Sequence, residues 1–499
     1  MEKGKIVLLP GEPNDCNRDY LPEAIRDGRM VVNENGNNSQ VYPPLLKEHR
    51  ECVVAGEGED VWYEYVPANY DPERKTPLVI SCHGGLMTGW GQCIYTSWSH
   101  VADREGFIVV FPNAQRQRMW QIEFDPAKKE MLSKPIPGLP QIALQDGPIS
   151  GYHDVKLILG LLERMQEKYN IDRGRIYIQG MSMGNAVASQ MARHFGHLFA
   201  GAAGSGCPTD TGLLFDEEDR VRNEGGPLDI MVSRLEHDVV PPYYPLKNKD
   251  TLMKNYQYWK LVNGCTGLPE ISIRGDYNFI FFEGEKARFS IMDVKNRDHG
   301  QTFDDAEYMW DYNFSGVRRD ADGNLAHTGC DRERKGDRVS VAVAEGCDMA
   351  WTGGETVPVN GKVFSWKKLK YHGLGGKEIV RGEYLYVPAA FCGRIWGADF
   401  RQNQDGTVCE LDLRTGEHLQ FARGSVGCVA DNRVESMLCE AVHRDGTLYI
   451  PLVWFAERFE GLYCSECNGV TYITDHPARI STYTAWILKD LLGGGYGVT

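Results

Sequence analysis

The sequence lacks any uncharged apolar run of the roughly 18 residues that a membrane-spanning helix requires. Its opening residues, MEKGKIVLLPGEPND, hold only a short apolar run and reach charged residues too soon for a secretory signal peptide. We therefore expect a cytoplasmic protein that does not enter a membrane, or a secreted one if a leader segment has been removed.

Clusters of basic residues are also absent. The 499 residues include 54 Lys and Arg against 69 Asp and Glu, which gives a net charge of −15, and the basic residues are scattered along the chain. A nucleic-acid-binding domain carries a basic patch or stripe, so we expect no nucleic-acid partner. The chain is too long for one ordinary core, and two or three domains are the expectation.

Cysteine is present but not dense, with 14 residues spread over the chain. Disulfide frameworks belong to small secreted chains, so we predict that most of these cysteines are reduced thiols. Cys464 and Cys467 have the spacing of two zinc ligands, but no second pair accompanies them. Ordinary packing is the preferred interpretation, and no metal site is predicted.

The segment from residue 61 to 315 alternates short β-branched runs with helical patterns. This alternation predicts an α/β fold, with a mostly parallel sheet and helices on both of its faces. Residues 1–50 have no strong period and predict an N-terminal arm that could add an edge strand. The strand candidates are residues 61–67, 77–85, 107–114, 175–180, 228–233 and 287–294.

The last part of the chain contains an internal repeat. LYVPAAFCGRIWGADF (385–400) and LYIPLVWFAERFEGLY (448–463) align without a gap. Each copy predicts a strand, a short helix and a further strand, so residues 338–499 predict a smaller α+β repeat domain. The polar, glycine-containing residues 321–337 before it predict a linker.

The repeat unit resembles the copper-amine-oxidase-like N-terminal stalk domain found on many bacterial surface proteins, over about residues 338–490. The resemblance implies a packing or attachment module and no copper chemistry. We expect this domain to support the rest of the chain, to present substrate, or to contribute to a homodimer.

The segment YIQGMSMGNAVA (177–188) places Ser182 between Gly180 and Gly184, after a predicted strand and before a predicted helix. This is the pattern of a nucleophile elbow, in which small flanking residues let the chain turn sharply and lift the serine hydroxyl above a sheet. A chance glycine-rich turn is the alternative interpretation.

The segment PLVISCHGG (77–85) ends an apolar strand in a double glycine. Backbone N–H groups at this position project toward the oxyanion that forms when a serine attacks a carbonyl. We predict an oxyanion hole built from the amide of Met183 and the amide of Gly85 or Leu86. A plain strand-to-loop turn is the alternative.

Four segments resemble the polyhydroxybutyrate depolymerase and feruloyl esterase group of α/β-hydrolases: PLVISCHGG, GFIVVFPNA, residues 154–192 and DHGQTFDDAEYMWDYNF. The resemblance covers about residues 60–318, and we assign residues 51–320 to this domain. It implies a serine carboxylic ester hydrolase without a metal or organic cofactor. The implied substrates are hydroxycinnamoyl (feruloyl) or acetyl esters of plant polysaccharide, or hydroxyalkanoate chains.

The resemblance also implies the partners of Ser182. The base is His299 in NRDHGQTF, which follows the last predicted strand. The acid lies in SRLEHDVVPP (233–242), where the family shows Gly-x-x-Asp-x-x-Val-Pro. The glycine of that pattern is missing here, which shows that the loop is remodelled and leaves two candidates for the acid. Asp238 is preferred, and Glu236 stays open.

Two further residues stand out against the family pattern. Trp120, in QRMWQIEF, corresponds to a tryptophan that could stack on an acyl group or a sugar ring, or could fill the core. Asn185 stands where the family commonly has a glycine, and we expect it to alter packing behind the elbow.

Two other functions stay open. The elbow pattern equally suits a serine peptidase of the same fold. The chain could also be a binding protein in which the repeat domain does the work and the hydrolase domain is inactive.

Overall fold

The computed structural model describes residues 3–9, 42–115, 118–135, 144–238, 249–370 and 379–493. The chain divides into two compact units. The first holds residues 1–267 and 281–334, and the second holds residues 268–280 and 335–499. Within the described ranges, no helix combines the length and apolarity needed to cross a bilayer.

A mostly parallel sheet forms the centre of the first unit. The strands up to residue 298 are β1 (Leu46–Glu51), β2 (Asp60–Tyr65), β3 (Thr76–Cys82), β4 (Ile108–Pro112), β5 (Ile171–Met181), β6 (Gly201–Ser205), β7 (Asp229–His237), β8 (Glu270–Arg274), β9 (Tyr277–Phe282) and β10 (Phe289–Asp298). Eight of them lie side by side in the order β1-β2-β4-β3-β5-β6-β7-β10.

The direction of these strands identifies the fold. β1 pairs with β2, and β2 with β4, in antiparallel fashion. From β4 to β10, each neighbouring pair is parallel. An antiparallel second strand followed by a parallel series in this order is the α/β-hydrolase sheet, so the predicted fold class is confirmed. β1 is the edge strand that the N-terminal arm could supply.

Continuous apolar runs explain why β3 and β4 lie at the centre. Every residue of TPLVISC in β3 and of IVVFP in β4 is buried. A strand that is covered on both faces needs apolar residues at every position rather than at alternate ones. Because the strands from β4 to β10 run parallel, their carboxyl ends lie together at one edge of the sheet.

Helices make the connections between the parallel strands. The helix His153–Lys168 buries Val155, Ile158, Leu162 and Met165 on one face, and it also buries Leu157 and Leu161. The helices of the first unit are α1 (Gly89–Tyr95), α2 (Trp98–Glu105), α3 (Pro126–Leu132), α4 (His153–Lys168), α5 (Met183–Phe195), α6 (Thr211–Leu214), α7 (Lys249–Asn263) and α8 (Asp305–Tyr312). A small hairpin, β11 (Val317–Arg319) and β12 (Leu325–His327), follows α8.

The second unit includes a segment that lies within residues 51–320, the range that the sequence predicts for the hydrolase domain. Leu268–Ile280 belongs with residues 335–499. The buried carboxylate of Asp337 explains this, because it accepts hydrogen bonds from Ser272 Oγ at 2.7 Å and from the Ile273 amide at 2.9 Å. The predicted linker, residues 321–337, thus contains β12 and ends in a residue that organises the second unit.

Antiparallel sheets build the rest of the second unit. The strand orders are β15-β14-β13-β26-β25, β16-β17-β24-β23 and β18-β19-β20-β21-β22. Their bounds are β13 (Ser340–Ala344), β14 (Met349–Thr352), β15 (Glu355–Pro358), β16 (Phe364–Lys370), β17 (Ile379–Pro388), β18 (Asp399–Gln402), β19 (Val408–Asp412), β20 (His418–Ala422), β21 (Gly427–Ala430), β22 (Arg433–Ser436), β23 (Val442–Arg444), β24 (Thr447–Pro451), β25 (Tyr463–Cys467) and β26 (Val470–Thr474). The helices are α9 (Ala389–Trp396), α10 (Leu452–Phe459) and α11 (Thr482–Gly493).

The internal repeat has a structural counterpart in this unit. β17 runs into α9 and then β18 and β19, while β24 runs into α10 and then β25 and β26. The two copies meet where β17 pairs antiparallel with β24. Val387 lies opposite its equivalent Ile450, and the flanking pairs mirror each other: Tyr386 opposite Pro451, and Pro388 opposite Tyr449. The repeats are therefore related by a local twofold axis at Val387 and Ile450.

Candidate active site

Ser182 lies at the turn between β5 and α5. Its φ of 56° and ψ of −120° are a sparsely populated conformation for a residue with a side chain. The Ser182 amide donates to the carbonyl oxygen of Ser205 at 2.8 Å, which ties the turn to β6. The Gly-x-Ser-x-Gly segment thus forms a sharp turn with its serine half-buried at the sheet edge.

The two glycines of the turn are required by close backbone approach. A Cβ on Gly180 would overlap the carbonyl oxygen of Gly184. A Cβ on Gly184 would overlap the carbonyl oxygen of Cys82 in β3. Because both obstacles are backbone atoms, neither position accepts a side chain without moving the turn.

The structure brings Ser182, His299 and Asp238 together. Ser182 Oγ lies 2.9 Å from His299 Nε2, and His299 Nδ1 lies 2.6 Å from Asp238 Oδ1. Ser182 follows β5, Asp238 follows β7 and His299 follows β10, so all three lie at the carboxyl edge of the sheet. The arrangement has the contacts of a Ser-His-Asp triad.

Glu236, the other candidate for the acid, lies elsewhere. Its carboxylate accepts a hydrogen bond from the amide of Asn296 at 3.0 Å and lies 3.4 Å from Lys295 Nζ. Glu236 is still within β7, whereas Asp238 is the first residue after this strand. Residues 239–248, which include the Val-Pro part of the predicted acid loop, lie outside the described residues.

Two buried polar residues that the sequence analysis missed support the histidine loop. Gln179 Nε2 donates to Gln301 Oε1 at 3.1 Å, and the Ser205 hydroxyl donates to the carbonyl oxygen of Gly300. Gln179 and Ser205 are fully buried in β5 and β6. A polar side chain inside an otherwise apolar strand was the signal that could have found them, because a buried polar group needs a partner.

The double-glycine turn offers one amide for an oxyanion hole. The Leu86 amide is already engaged, since it donates to the carbonyl oxygen of Arg118 at 2.8 Å. Within the described part of the chain, no such bond involves the Gly85 amide. The Met183 amide begins α5, where the first N–H groups of a helix have no partner within the helix. Gly85 and Met183 are therefore the available donors.

His83 fixes this turn from below. It is fully buried, and burial lowers its pKa to about 4, so the ring is neutral. Nε2 accepts a hydrogen bond from the Ala114 amide at 3.0 Å, which leaves the proton on Nδ1 to donate to the Gly84 carbonyl oxygen at 2.6 Å. The histidine thus couples the double glycine to the end of β4.

Trp120 is only 1% exposed and holds the same turn. Its indole N–H donates to the carbonyl oxygen of His83 at 2.7 Å. The buried carboxylate of Asp154 accepts from the neighbouring Gln121 amide at 2.7 Å, and burial raises the pKa of Asp154 to about 6. Trp120 therefore fills the core beneath the double-glycine turn, and its contact with substrate stays a prediction.

Methionine side chains surround the double glycine. A Cβ on Gly85 would lie 2.9 Å from the sulfur of Met183 and 3.2 Å from that of Met119. A Cβ on Gly84 would lie 3.1 Å from the sulfur of Met87. The turn is therefore flanked by polarisable apolar groups.

One group of carboxylates in the described residues has the spacing of a cation site: Glu105, Asp311 and Asp331. Lys3 Nζ lies 2.8 Å from the carboxylates of Glu105 and Asp331. Arg104 lies 2.9 Å from Asp311. Side-chain cations already compensate these charges, so we interpret the group as an ion-pair network.

The sequence is similar to parts of known proteins, while no family model matches it. Over 130 residues, the chain is 29% identical to the bifunctional acetylxylan esterase/xylanase of Neocallimastix patriciarum, a match that covers 26% of this chain and 15% of that protein. Over 143 residues, it is 25% identical to a probable acetylxylan esterase A of Aspergillus fumigatus, covering 28% of this chain and 32% of that protein. The chain thus spans less than a third of each relative.

Two of the solved structures that are similar to this chain are esterases by name. The acetyl xylan esterase from Aspergillus awamori has 15% identity and a TM-score of 0.38, covering 53% of this chain and 97% of its own. A ferulic acid esterase from the anaerobic fungus Anaeromyces mucronatus has 17% identity and a TM-score of 0.33, covering 56% of this chain and 93% of its own. The fold assignment rests on the strand order of the first unit.

Proposed function

We propose that this chain is a serine carboxylic ester hydrolase. The observation that carries the proposal is the series of contacts from Ser182 Oγ to His299 Nε2 at 2.9 Å and from His299 Nδ1 to Asp238 Oδ1 at 2.6 Å. A serine hydroxyl becomes a competent nucleophile when a neighbouring base removes its proton. This geometry supplies the base and the carboxylate that orients it.

In the first half of the reaction, Ser182 Oγ attacks the ester carbonyl carbon while His299 takes the hydroxyl proton. The Gly85 and Met183 amides donate to the oxyanion of the tetrahedral intermediate. Asp238 stabilises the imidazolium. When the intermediate collapses, His299 returns the proton to the leaving alcohol, and the acyl group stays on Ser182 as an ester.

In the second half, water takes the place of the alcohol. His299 removes a proton from the water as it attacks the acyl-enzyme, and the same amides stabilise the second oxyanion. Collapse releases the carboxylic acid and returns the proton to Ser182. These steps use no metal or organic cofactor.

The proposed substrate is a feruloyl or other hydroxycinnamoyl ester, or a related acetyl or hydroxyalkanoate ester, free or linked to a polysaccharide. The names of the matched acetylxylan esterases support this class, as does the resemblance over residues 154–192. The thioethers of Met119 and Met183 beside Gly85 provide an apolar wall for an acyl group.

We further propose that the second unit is a stalk-like repeat module of bacterial type, which supports the hydrolase unit, presents substrate or forms a homodimer. We propose a cytoplasmic location, or a secreted one if a leader has been removed. Sedimentation of the full chain would test the dimer, because a monomer mass contradicts it.

Replacing Ser182 by alanine tests the catalytic proposal. We expect Ser182→Ala to lose on the order of a million-fold in kcat on nitrophenyl acetate and on methyl ferulate, because the nucleophile of a triad is removed. The matched control is Ser133→Ala, since Ser133 is exposed and its hydroxyl donates to the carbonyl oxygen of Glu130, outside the Ser182 site. Retention of more than a tenth of the wild-type rate in Ser182→Ala would refute the assignment.

The same proteins separate the two other functions. A serine peptidase would cleave peptide nitroanilides in addition to activated esters, whereas an esterase would leave the nitroanilides intact. A binding protein with an inactive hydrolase unit would cleave neither and would not react with a fluorophosphonate. The proposal expects ester cleavage that depends on Ser182.

A further inference from the structure

Two buried polar side chains converge on the loop that follows β6. Asn185, on α5, is 7% exposed, and Arg234, on β7, is 5% exposed. Asn185 Nδ2 donates to the carbonyl oxygen of Gly206 at 2.5 Å, and Arg234 Nη1 donates to the same oxygen at 3.4 Å. One carbonyl group therefore receives N–H donors from two different elements.

Gly206 borders the catalytic histidine. A Cβ built on Gly206 would lie 3.1 Å from Cε1 of His299 and 3.6 Å from Oδ2 of Asp238. The backbone of this residue is thus within contact range of the imidazole and of the carboxylate that orients it. Because His299 and Asp238 fill the space beside Gly206, a displacement of the loop toward them would disturb His299.

The loop has a strained backbone. Gly206 has a φ of 69° and Cys207 a φ of 35°. A left-handed conformation in a residue with a side chain costs free energy and persists only where the surroundings over-determine it. Asn185 Nδ2 also lies 3.3 Å from the carbonyl oxygen of Cys207, so one side-chain amide holds both Gly206 and the strained Cys207.

The contacts of Arg234 do not explain why a charged guanidinium is buried at this position. Its Nη1 donates to the carbonyl oxygens of Gly206 and Ser233. Among the described residues, its buried Nε has no hydrogen-bond partner and its guanidinium has no carboxylate within 4 Å. A buried charge without an ion pair is unfavourable. Its retention next to the triad therefore points to a role in the geometry of the site.

We propose that Asn185 and Arg234 are positioning residues that hold the Gly206–Cys207 loop and, through it, align His299 with Ser182. The inference rests on the proposed esterase function. Asn185, which stands where the resembled family has a glycine, would then act on the catalytic loop in addition to packing behind the elbow.

The test compares kcat and KM for nitrophenyl acetate in full-length Asn185→Ala and Arg234→Met. We expect kcat to fall by up to about 100-fold, because a displacement of about 1 Å in a catalytic group can cost that much, while KM stays within about twofold. Ser189→Ala is the matched control. Ser189 lies one turn further along α5, and its hydroxyl bonds to Thr209 rather than to the carbonyl oxygens of Gly206 and Cys207, so the kcat of Ser189→Ala should match the wild type.

Two further variants distinguish positioning from loss of structure. Arg234→Lys keeps a charged donor and should recover part of the kcat lost in Arg234→Met. The double variant Asn185→Ala/Arg234→Met should lose less than the product of the two single losses, because both side chains act on one carbonyl. Thermal unfolding identifies any variant that fails to fold. If Asn185→Ala fails to fold, the comparison of Arg234→Met with Arg234→Lys decides the test.

A folded Asn185→Ala with kcat within twofold of the wild type would overturn the inference, and so would an equal loss in Ser189→Ala. A rise in KM without a fall in kcat would also overturn it. Each of these results leaves the esterase proposal intact, because that proposal depends on Ser182→Ala.

Discussion

His83 is a histidine that the folded protein keeps neutral. Its ring is fully buried, it accepts a hydrogen bond from the Ala114 amide, and burial lowers its pKa to about 4 from an ordinary 6.5. The unfolded chain therefore binds the proton first as the pH falls. Stability that depends on neutral His83 is complete above pH 6.5 and is lost progressively between pH 6.5 and 4.

This difference predicts a measurable pH dependence. Between pH 6.5 and 4, His83 should lower the free energy of unfolding by about 3 kcal/mol. We expect His83→Gln, whose side chain does not titrate, to lack this part of the loss. Denaturant unfolding of both proteins across this range, with exposed His197→Gln as the control, measures the effect. Parallel curves for wild type and His83→Gln would contradict the assignment of a neutral buried ring.

The residues of the site differ in how far the sequence determines them. Ser182 and Gly85 follow from local patterns that reflect backbone geometry, and His299 from its place after the last strand. The choice between Asp238 and Glu236 could not be made, because it depends on where β7 ends. That end is fixed by pairing with β10, which places Glu236 beside Asn296.

Among the elements of the first unit, β3, β5 and α5 meet at a junction that leaves no room for a side chain on Gly184. Gly184 packs against the backbone of Cys82, and its Cβ would overlap that carbonyl oxygen. We expect Gly184→Ala to lower the free energy of unfolding by about 3 kcal/mol, the upper range for overpacking a core, because two backbone segments must separate.

Gly85→Ala is the informative comparison for this prediction. Its new methyl group would meet only the flexible ends of Met183 and Met119, at 2.9 and 3.2 Å. We expect a loss of less than about 1 kcal/mol, since flexible side chains can move. Chemical denaturation of both variants gives the two values, and equal losses would show that backbone contact does not set the constraint.

The sequence predicted the central strands well and the hairpin of β8 and β9 not at all. β3 and β4 are runs of apolar residues, and burial on both faces leaves no other place for them. The hairpin residues up to Ile280 belong with a unit whose other residues begin at 335. A contact between Ser272 and Asp337 leaves no periodic signal in either segment, so local patterns could not reveal it.

At the scale of the whole molecule, the second unit is discontinuous in sequence. Leu268–Ile280 joins residues 335–499, and the buried carboxylate of Asp337 accepts hydrogen bonds from Ser272, Ile273 and Tyr472 at 2.7, 2.9 and 2.8 Å. A cut within the predicted linker, before Asp337, would place this carboxylate and its donors Ser272 and Ile273 on different fragments. The second unit therefore needs both parts of the chain.

Replacing Asp337 tests this organisation. We expect Asp337→Asn to lower the stability of the second unit by about 2 kcal/mol, because hydrogen bonds to a charged acceptor are weakened. Amide exchange of Ile271 and Ile273 should accelerate accordingly. The control is Asp348→Asn, an exposed carboxylate of the same unit. Unchanged protection of β8 in Asp337→Asn would count against the carboxylate as the link.

Covalent labelling of the intact protein by a fluorophosphonate measures the reactivity of Ser182 most directly. We expect one adduct per chain, located by fragmentation to Ser182 rather than Ser189 in the tryptic peptide 176–193, and a labelling rate that falls sharply in His299→Ala. No adduct at Ser182, or an unchanged rate without the imidazole, would contradict it.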